Sequence, residues 1–312
     1  MNSTNKHLSQ LTGKLLGDGC ITKQIDRKPR FQFMHRSEDL AWSQHCYEEL
    51  KNFLPLNPPR YQKVLDPRMR ADFSERYVVQ SKTNEVITEL ERVWYNQRKK
   101  TLPLDFIRQY LNEEALAWWY QDDGHLKKQN HCPQKIVLST DNFTEQENTF
   151  LKQILLEKFQ LSLKMDSQNR LLLYDQSQIY YFLKLIQPYT HPCMGRKMIH
   201  SQSIQEIPIK AKRTTIYLPD SILLRKPTEE INHVLSYTNF ILTQLEDRGT
   251  FLKLYQSTKQ IFLTEYEYKS YQVTISPNNR AQLYKIKQLT GWKYSQITLL
   301  CFHYRDSFVS VP

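Results

Sequence analysis

The chain of 312 residues carries 43 Lys and Arg against 32 Asp and Glu, a formal net charge of +11, and 40% of its residues are hydrophobic. That much apolar material excludes global disorder and supports about two folded domains, while the charge asks for a polyanionic partner. No stretch approaches the ~18 apolar residues of a membrane span, and the start MNSTNKHLSQ lacks a secretion signal, so a soluble, unsecreted protein is expected.

In chain order, SQLTGKLLGDGCITK (residues 9–23) has the apolar density of a buried helix that stops at Asp18-Gly19. Alternating residues follow from Ile21 to Phe33, then a helix from near Ser37 carrying Leu40, Trp42, Tyr47, Leu50 and Phe53. Polar and basic strand material runs from Arg60 to Gln80, and a helix from about Asn84 to Tyr95. EALAWWYQDDGHLKK (residues 114–128) then opens a second round: a strand over Lys135 to Thr140, a helix begun by the capping-box pattern Thr144-x-x-Glu147, strands over Leu161 to Tyr174, and a helix over Ser177 to Leu185. Beyond residue 210, Arg213–Leu218 and Tyr271–Ser276 alternate as short strands, each followed by proline, and the second leads into two amphipathic helices separated near Gly291-Trp292.

Aligned on Asp-Gly, Asp18 matches Asp123 and Leu11 matches Leu116 at an offset of 105 residues, which is an internal repeat. Each segment is an apolar helix, then an acid, then a glycine expected to end the helix at positive φ. A carboxylate at a helix C-terminus faces the negative end of the dipole and unpaired carbonyls, a cost that a divalent cation reverses. Gly13 and Gly17, four apart, leave one helix face bare for close approach. Two such helices side by side bring Asp18 and Asp123 to one end of the seam, where paired carboxylates holding metal can act on a phosphodiester.

Residues 1–210 carry 30 basic against 24 acidic side chains and residues 211–312 carry 13 against 8, so the positive charge is spread along the molecule rather than held in a tail. Five scattered cysteines without a C-x-x-C pair rule down a zinc ribbon and a disulfide scaffold.

LTGKLLGDG and LAWWYQDDG resemble the two motifs of a single-chain LAGLIDADG homing endonuclease. KKTLP, WYQDDG, KIVLSTDNFT and LIQPY look closest to the yeast mitochondrial omega-intron endonuclease branch, and the likeness covers roughly residues 8 to 200. It implies an α+β fold: a pseudo-twofold pair of αββαββα repeats forming a DNA-binding saddle, here over residues 1–104 and 105–210. Residues 211–312 are a C-terminal extension whose strand-helix-helix order weakly resembles a ribbon-helix-helix DNA-binding unit, with a stabilising extension or a partner-binding region as the alternatives.

The resemblance further implies hydrolysis of double-stranded DNA at a long asymmetric site, leaving short 3′ overhangs, by a monomer without membrane association, encoded by a mobile intron and working in an organelle matrix or bacterial cytoplasm. Mg²⁺, or Mn²⁺ in its place, would be held by Asp18 and Asp123, with the Gly17 and Asp122 carbonyls as auxiliary ligands. Lys100 and Lys197, after the last helix of each repeat, align with basic active-site positions, where an ammonium can stabilise charge on phosphorus. A strand ribbon fits the major groove, where Arg or Lys reads guanine and Asn or Gln adenine. The candidates in the first repeat are Lys23, Gln24, Arg27, Lys28, Arg30, Gln32, Arg68, Arg70, Arg76 and Gln80. In the second they are Lys127, Lys128, Gln129, Lys135, Lys164, Gln168, Asn169 and Arg170. The rival reading is an intron RNA maturase or a DNA-binding regulator that uses the same fold without cleavage.

Overall fold

The computed structural model describes residues 3–67, 72–129, 132–199, 210–263 and 267–309. The first repeat runs α1 (Ser3–Leu16), β1 (Cys20–Thr22), β2 (Arg30–Arg36), α2 (Leu40–Leu50), β3 (Arg60–Leu65), β4 (Phe73–Gln80) and α3 (Glu85–Trp94). A hairpin, β5 (Tyr95–Asn96) and β6 (Lys99–Lys100), and a short α4 (Leu104–Tyr110) lead into the second repeat. That repeat is α5 (Glu113–Asp123), β7 (Gly124–Gln129), β8 (Cys132–Leu138), α6 (Glu145–Phe159), β9 (Lys164–Met165), β10 (Leu171–Leu173) and α7 (Gln176–Ile186). Each round is αββαββα, as the repeat predicts. The strands make two antiparallel four-stranded sheets of the same order, β1-β2-β4-β3 and β7-β8-β10-β9.

Local chemistry sets the helix starts. Asn84 accepts from the Val86 amide, Asn112 from the Ala115 amide, and Thr144 and Glu147 form the full capping box at α6. The expected helix-ending glycines behave differently from the expectation. Gly124 is extended, with φ −83° and ψ 148°, and among the described residues Gly291 alone of the glycines has positive φ. Space, not handedness, demands glycine after the motif: a Cβ at Gly19 would lie 2.6 Å from the Lys14 carbonyl oxygen, and one at Gly124 would collide with the Tyr120 ring.

The described residues form two compact units. The first draws on Met1–Lys127, Ile136–Leu173 and Ile186–Met198, and the second on Lys128–Lys135, Tyr174–Leu185 and Ile199–Pro312. In the first, α1 packs along α5 over a core of Leu11, Leu15, Phe31, Phe33, Trp42, Trp94, Trp118 and Trp119. The seam is as close as the glycine spacing predicts: a Cβ at Gly13 would lie 2.7 Å from Trp118 Cβ, and one at Gly17 would lie 2.6 Å from Asp122 Cβ.

The second unit is built on a two-stranded antiparallel ribbon, β11 (Lys212–Pro219) with β12 (Tyr268–Ile275), in the register Arg213↔Thr274, Thr215↔Gln272 and Tyr217↔Ser270. Between the strands lie α8 (Pro227–Val234), α9 (Thr238–Glu246) and α10 (Arg248–Leu263); after them come α11 (Pro277–Thr290) and α12 (Tyr294–Val309). Ile216, Leu218, Tyr271, Val273 and Ile275 point inward, with α8 packed on β12 and α12 on β11. The two strands read separately in the sequence are thus partners within one chain.

Candidate active site

The motif helices end together. Asp18 follows α1, Asp123 closes α5, and the Asp18 amide donates to the Asp122 carboxylate at 3.2 Å. Asp18 keeps 34% of its side chain exposed. Burial, reinforced by the neighbouring Asp122 and Asp123, raises its carboxyl from 3.8 to about 8. Asp123 is pushed up to about 7 by burial and by Asp122. Two neighbouring carboxyls that hold their protons this strongly lack a sufficient counter-charge.

Asp122 is different. Its carboxylate has no exposure, and it accepts from Lys14 Nζ at 2.8 and 3.0 Å and from Trp42 Nε1 at 2.8 Å, with His35 Nε2 at 3.2 Å. Burial alone would raise its pKa, but Lys14 and His35 together bring it well below the usual carboxylate range. The fully buried Lys14 is likewise penalised by burial, yet Asp122 holds it above its ordinary value. His35 is lowered by burial and by Lys14, and its Nδ1 lies 2.6 Å from Ser43 Oγ. Ligand atoms of Asp18, His35 and Asp122 all lie within 4.8 Å of one another. The Asp122 carboxylate, however, is already saturated by an ammonium and an indole N–H, which leaves Asp18, Asp123 and main-chain oxygens as the donors open to a divalent cation. Hard oxygen donors with unmet negative charge fit Mg²⁺ or Mn²⁺.

Both expected lysines reach the motif ends. Lys100 follows the β5–β6 turn, whose Gln97 and Arg98 both have positive φ (48° and 70°), and its Nζ donates to the Gly19 carbonyl at 3.0 Å. Burial lowers it to about 8. Lys197, in a 3₁₀ segment over Pro192–Lys197, donates to the carbonyls of Gln121, Asp122 and Tyr120 at 2.6, 3.1 and 3.3 Å, and burial lowers it to about 8 as well. It closes the negative end of α5. The neighbouring Lys99 and Arg196 are exposed, and Arg196 pairs with Asp39 at 2.9 Å.

In the first sheet, Phe31, Phe33 and His35 face the core, while the opposite face carries Arg30, Gln32 and Arg36, interrupted by Met34 and its partner Val78. Register places Thr22 beside Arg30, Gln32 beside Gln80, Arg36 beside Arg76, Arg76 beside Gln62 and Arg60 beside Val78. Of the candidates, Arg30, Gln32, Arg76 and Gln80 are brought together, and Arg36, Arg60 and Gln62 join them. A groove of about 330 Å³ is lined by Thr22, Gln24, Arg27, Lys28, Arg30, Gln80 and Thr83. Lys23 pairs with Glu91 at 3.2 Å. Arg68 and Arg70 lie outside the described residues.

The second sheet is less uniform. Lys127, Lys128 and Gln129 are exposed on β7, and Lys164 is exposed on β9. Lys164 pairs with Leu172 and Leu172 with Val137, both buried, so this face is partly apolar. Lys135 sits over the Tyr174 ring and Arg170 forms a two-pronged pair with Asp166. Gln168 is exposed in the intervening turn, and Asn169, at φ 61°, turns its amide to the Phe143 carbonyl.

Sequence reasoning missed Lys14, His35 and Trp42. One signal was present: Lys14 is the one charge within residues 9–17 of the first motif, and a charged Asp122 stands at the position equivalent to Gly17.

The LAGLIDADG DNA endonuclease family model matches residues 8–182. Uncharacterized protein MJ1098 of Methanocaldococcus jannaschii is 30% identical over 201 residues, spanning 60% of this chain and 71% of that protein. Intron-encoded endonuclease ai4 of Dictyostelium discoideum is 30% identical over 146 residues, 39% of this chain and 87% of that one. Among solved structures, the homing endonuclease I-WcaI bound to its DNA recognition sequence superposes with a TM-score of 0.54 at 23% identity, covering 62% of this chain and 86% of that one, a likeness of fold. With two motif helices packed on each other, two antiparallel sheets in the same order and a family match over more than half its length, the chain belongs to the LAGLIDADG DNA endonuclease family.

Proposed function

We propose that the chain is a site-specific, double-strand DNA homing endonuclease encoded by a mobile intron. The observation that carries this reading is the pair Asp18 and Asp123 at the end of one seam, both raised by burial and by the Asp122 charge between the motif ends, beside two half-buried lysines. Asp18 and Asp123 would hold a divalent cation, with the Gly17 and Asp122 carbonyls as auxiliary ligands. Bound there, the cation supplies an acidified water and neutralises charge gathering on the phosphate.

The chain's own residues do the rest. Lys100, held at the Gly19 carbonyl with a pKa near 8, can donate to a phosphate oxygen and exchange a proton near neutral pH. Lys197 fixes the α5 terminus and hence the position of Asp123. The polar face of the first sheet supplies guanidinium and amide groups at strand spacing for major-groove edges, and β7 with Lys164 supplies the corresponding lysines of the second repeat.

The test is cleavage of the intronless host locus, or of a randomised plasmid library, by wild type and by Asp18→Asn/Asp123→Asn, each with Mg²⁺ and with EDTA. Discrete metal-dependent cuts by wild type alone are expected, with DNA binding retained by the variant. Equal cutting by the variant would remove the site. Absence of cuts, with splicing of the host intron supported by both proteins, would mark a maturase instead.

A further inference from the structure

The family match ends at residue 182, and the ribbon of the second unit lies beyond it. Its two strands form a two-stranded sheet with one apolar and one polar face. The inward residues Ile216, Leu218, Tyr271, Val273 and Ile275 are buried under helices. The outward face presents three cross-strand pairs: Arg213 with Thr274, Thr215 with Gln272, and Tyr217 with Ser270. Tyr217 is 53% exposed, and Arg213, Ser270, Gln272 and Thr274 are exposed as well. Such a ribbon, with guanidinium, amide, hydroxyl and methyl groups on its open side, has the width and chemistry to enter a major groove and meet base edges.

Charge supports the same occupant. Lys210, Lys212 and Arg213 are exposed at one end of the ribbon, and Arg280 donates to the Lys210 carbonyl at 2.9 Å, which holds a fourth cation there. The acids Asp220 and Glu267 sit beyond the opposite end, where the Asp220 amide bonds the Glu267 carbonyl. The first turn of α11, one residue after β12, carries no acid. The ribbon therefore offers a cationic end for phosphates and a polar centre for bases. Duplex RNA is the poorer fit, because its major groove is too deep and narrow for a strand pair.

The ribbon is also rigidly held, so that its register is defined. Asn232 of α8 donates to the Thr274 carbonyl at 2.8 Å and accepts from the Ser276 amide at 2.9 Å, while Asn279 donates to the Asn232 carbonyl at 2.8 Å. On the other strand, the Tyr217 amide donates to Ser295 Oγ of α12 at 3.0 Å.

We propose that the outward face of the β11–β12 ribbon is a second DNA-reading surface, inserted in a major groove, which adds base pairs to the target beyond those read by the two repeats. The inference rests on the chain being a duplex-DNA protein, as proposed above.

The experiment selects a randomised duplex library with the full chain in EDTA, followed by hydroxyl-radical footprinting on the selected site. Wild type, Asp18→Asn/Asp123→Asn, and the exposed-face variant Arg213→Ala/Thr215→Ala/Gln272→Ala are compared at matched thermal midpoints. The ribbon variant is expected to lose one discrete protected segment and the base preferences within it, with affinity reduced roughly tenfold or more. The aspartate variant keeps that segment. A ribbon variant with wild-type footprint, base preferences and affinity overturns the proposal, as does a wild-type chain that binds no duplex. A ribbon-dependent footprint on a chain that never cuts supports the ribbon and sinks the nuclease reading alone.

Discussion

Lys14 and Asp122 form an ion pair at 2.8 Å in which neither side chain has any solvent exposure. Such a pair contributes little net stability as a whole, yet removing one partner leaves a buried charge and typically costs about 3–5 kcal/mol. Lys14→Met and Asp122→Asn are each expected to lower stability by that order in urea unfolding. The double variant should recover more than half of the summed loss. A cost below about 1 kcal/mol for Lys14→Met would show that the pair is not the tether of the seam.

The helix contact itself is tested at the glycines. An added Cβ at Gly17 meets the Asp122 side chain, whereas one at Gly13 meets the Ala115 main chain as well as Trp118. Gly17→Ala is expected to cost about 1–3 kcal/mol as overpacking, and Gly13→Ala more, because a backbone carbonyl cannot rotate away. Equal midpoints for both variants and wild type would contradict the packing.

The acids make stability pH-dependent in the absence of metal. With folded values of about 8 for Asp18 and 7 for Asp123, against an ordinary 3.8, the folded state binds more protons than the unfolded one between about pH 4 and 8. Stability from these groups is full below about pH 4 and is lost as pH rises through 7 to 8. In EDTA the thermal midpoint should fall across that range, and Mg²⁺ should raise it more at pH 8 than at pH 5. A Mg²⁺ increment that is the same at both pH values would count against these carboxylates as ligands.

The two lysines should separate by readout. Lys197→Met removes the donor from three α5 carbonyls, so it should cost roughly 1–3 kcal/mol of stability together with cleavage. Lys100→Met relieves a burial penalty and loses one hydrogen bond. Its thermal midpoint should stay level or rise while single-turnover cleavage falls roughly 100-fold. A stability loss for Lys100→Met matching that of Lys197→Met would make both lysines structural.

Local signals were legible in the sequence; cross-chain ones were less so. The Thr144–Glu147 box and the Gly13–Gly17 spacing each involve residues within one turn or one helix face, and both are realised. The handedness expected of Gly19 and Gly124 was misjudged because what requires glycine there is crowding against the carbonyl of the preceding helical turn, Lys14 and Tyr120, and not a left-handed backbone. The Lys14, His35, Trp42 and Asp122 cluster joins α1, β2, α2 and α5, so no window of sequence contains it. Most of the first sheet's polar face follows from strand alternation, with Met34 and Val78 as the interruption, whereas the buried Val137 and Leu172 on the second sheet break the pattern that its lysines suggest.

The seam also decides which halves can be partners. With an offset of 105, Gly13 faces its own counterpart Trp118, and Gly17 faces its own counterpart Asp122. Two copies of the first half would oppose glycine to glycine and bring two ammoniums to the seam without the Asp122 carboxylate that holds Lys14 here. Two copies of the second half would oppose indole to indole and carboxylate to carboxylate, with no cation to separate them. The unlike combination sets each glycine against a side chain and the ammonium against a carboxylate. The two halves have become a left and a right hand, each shaped at the seam for the other and not for a copy of itself.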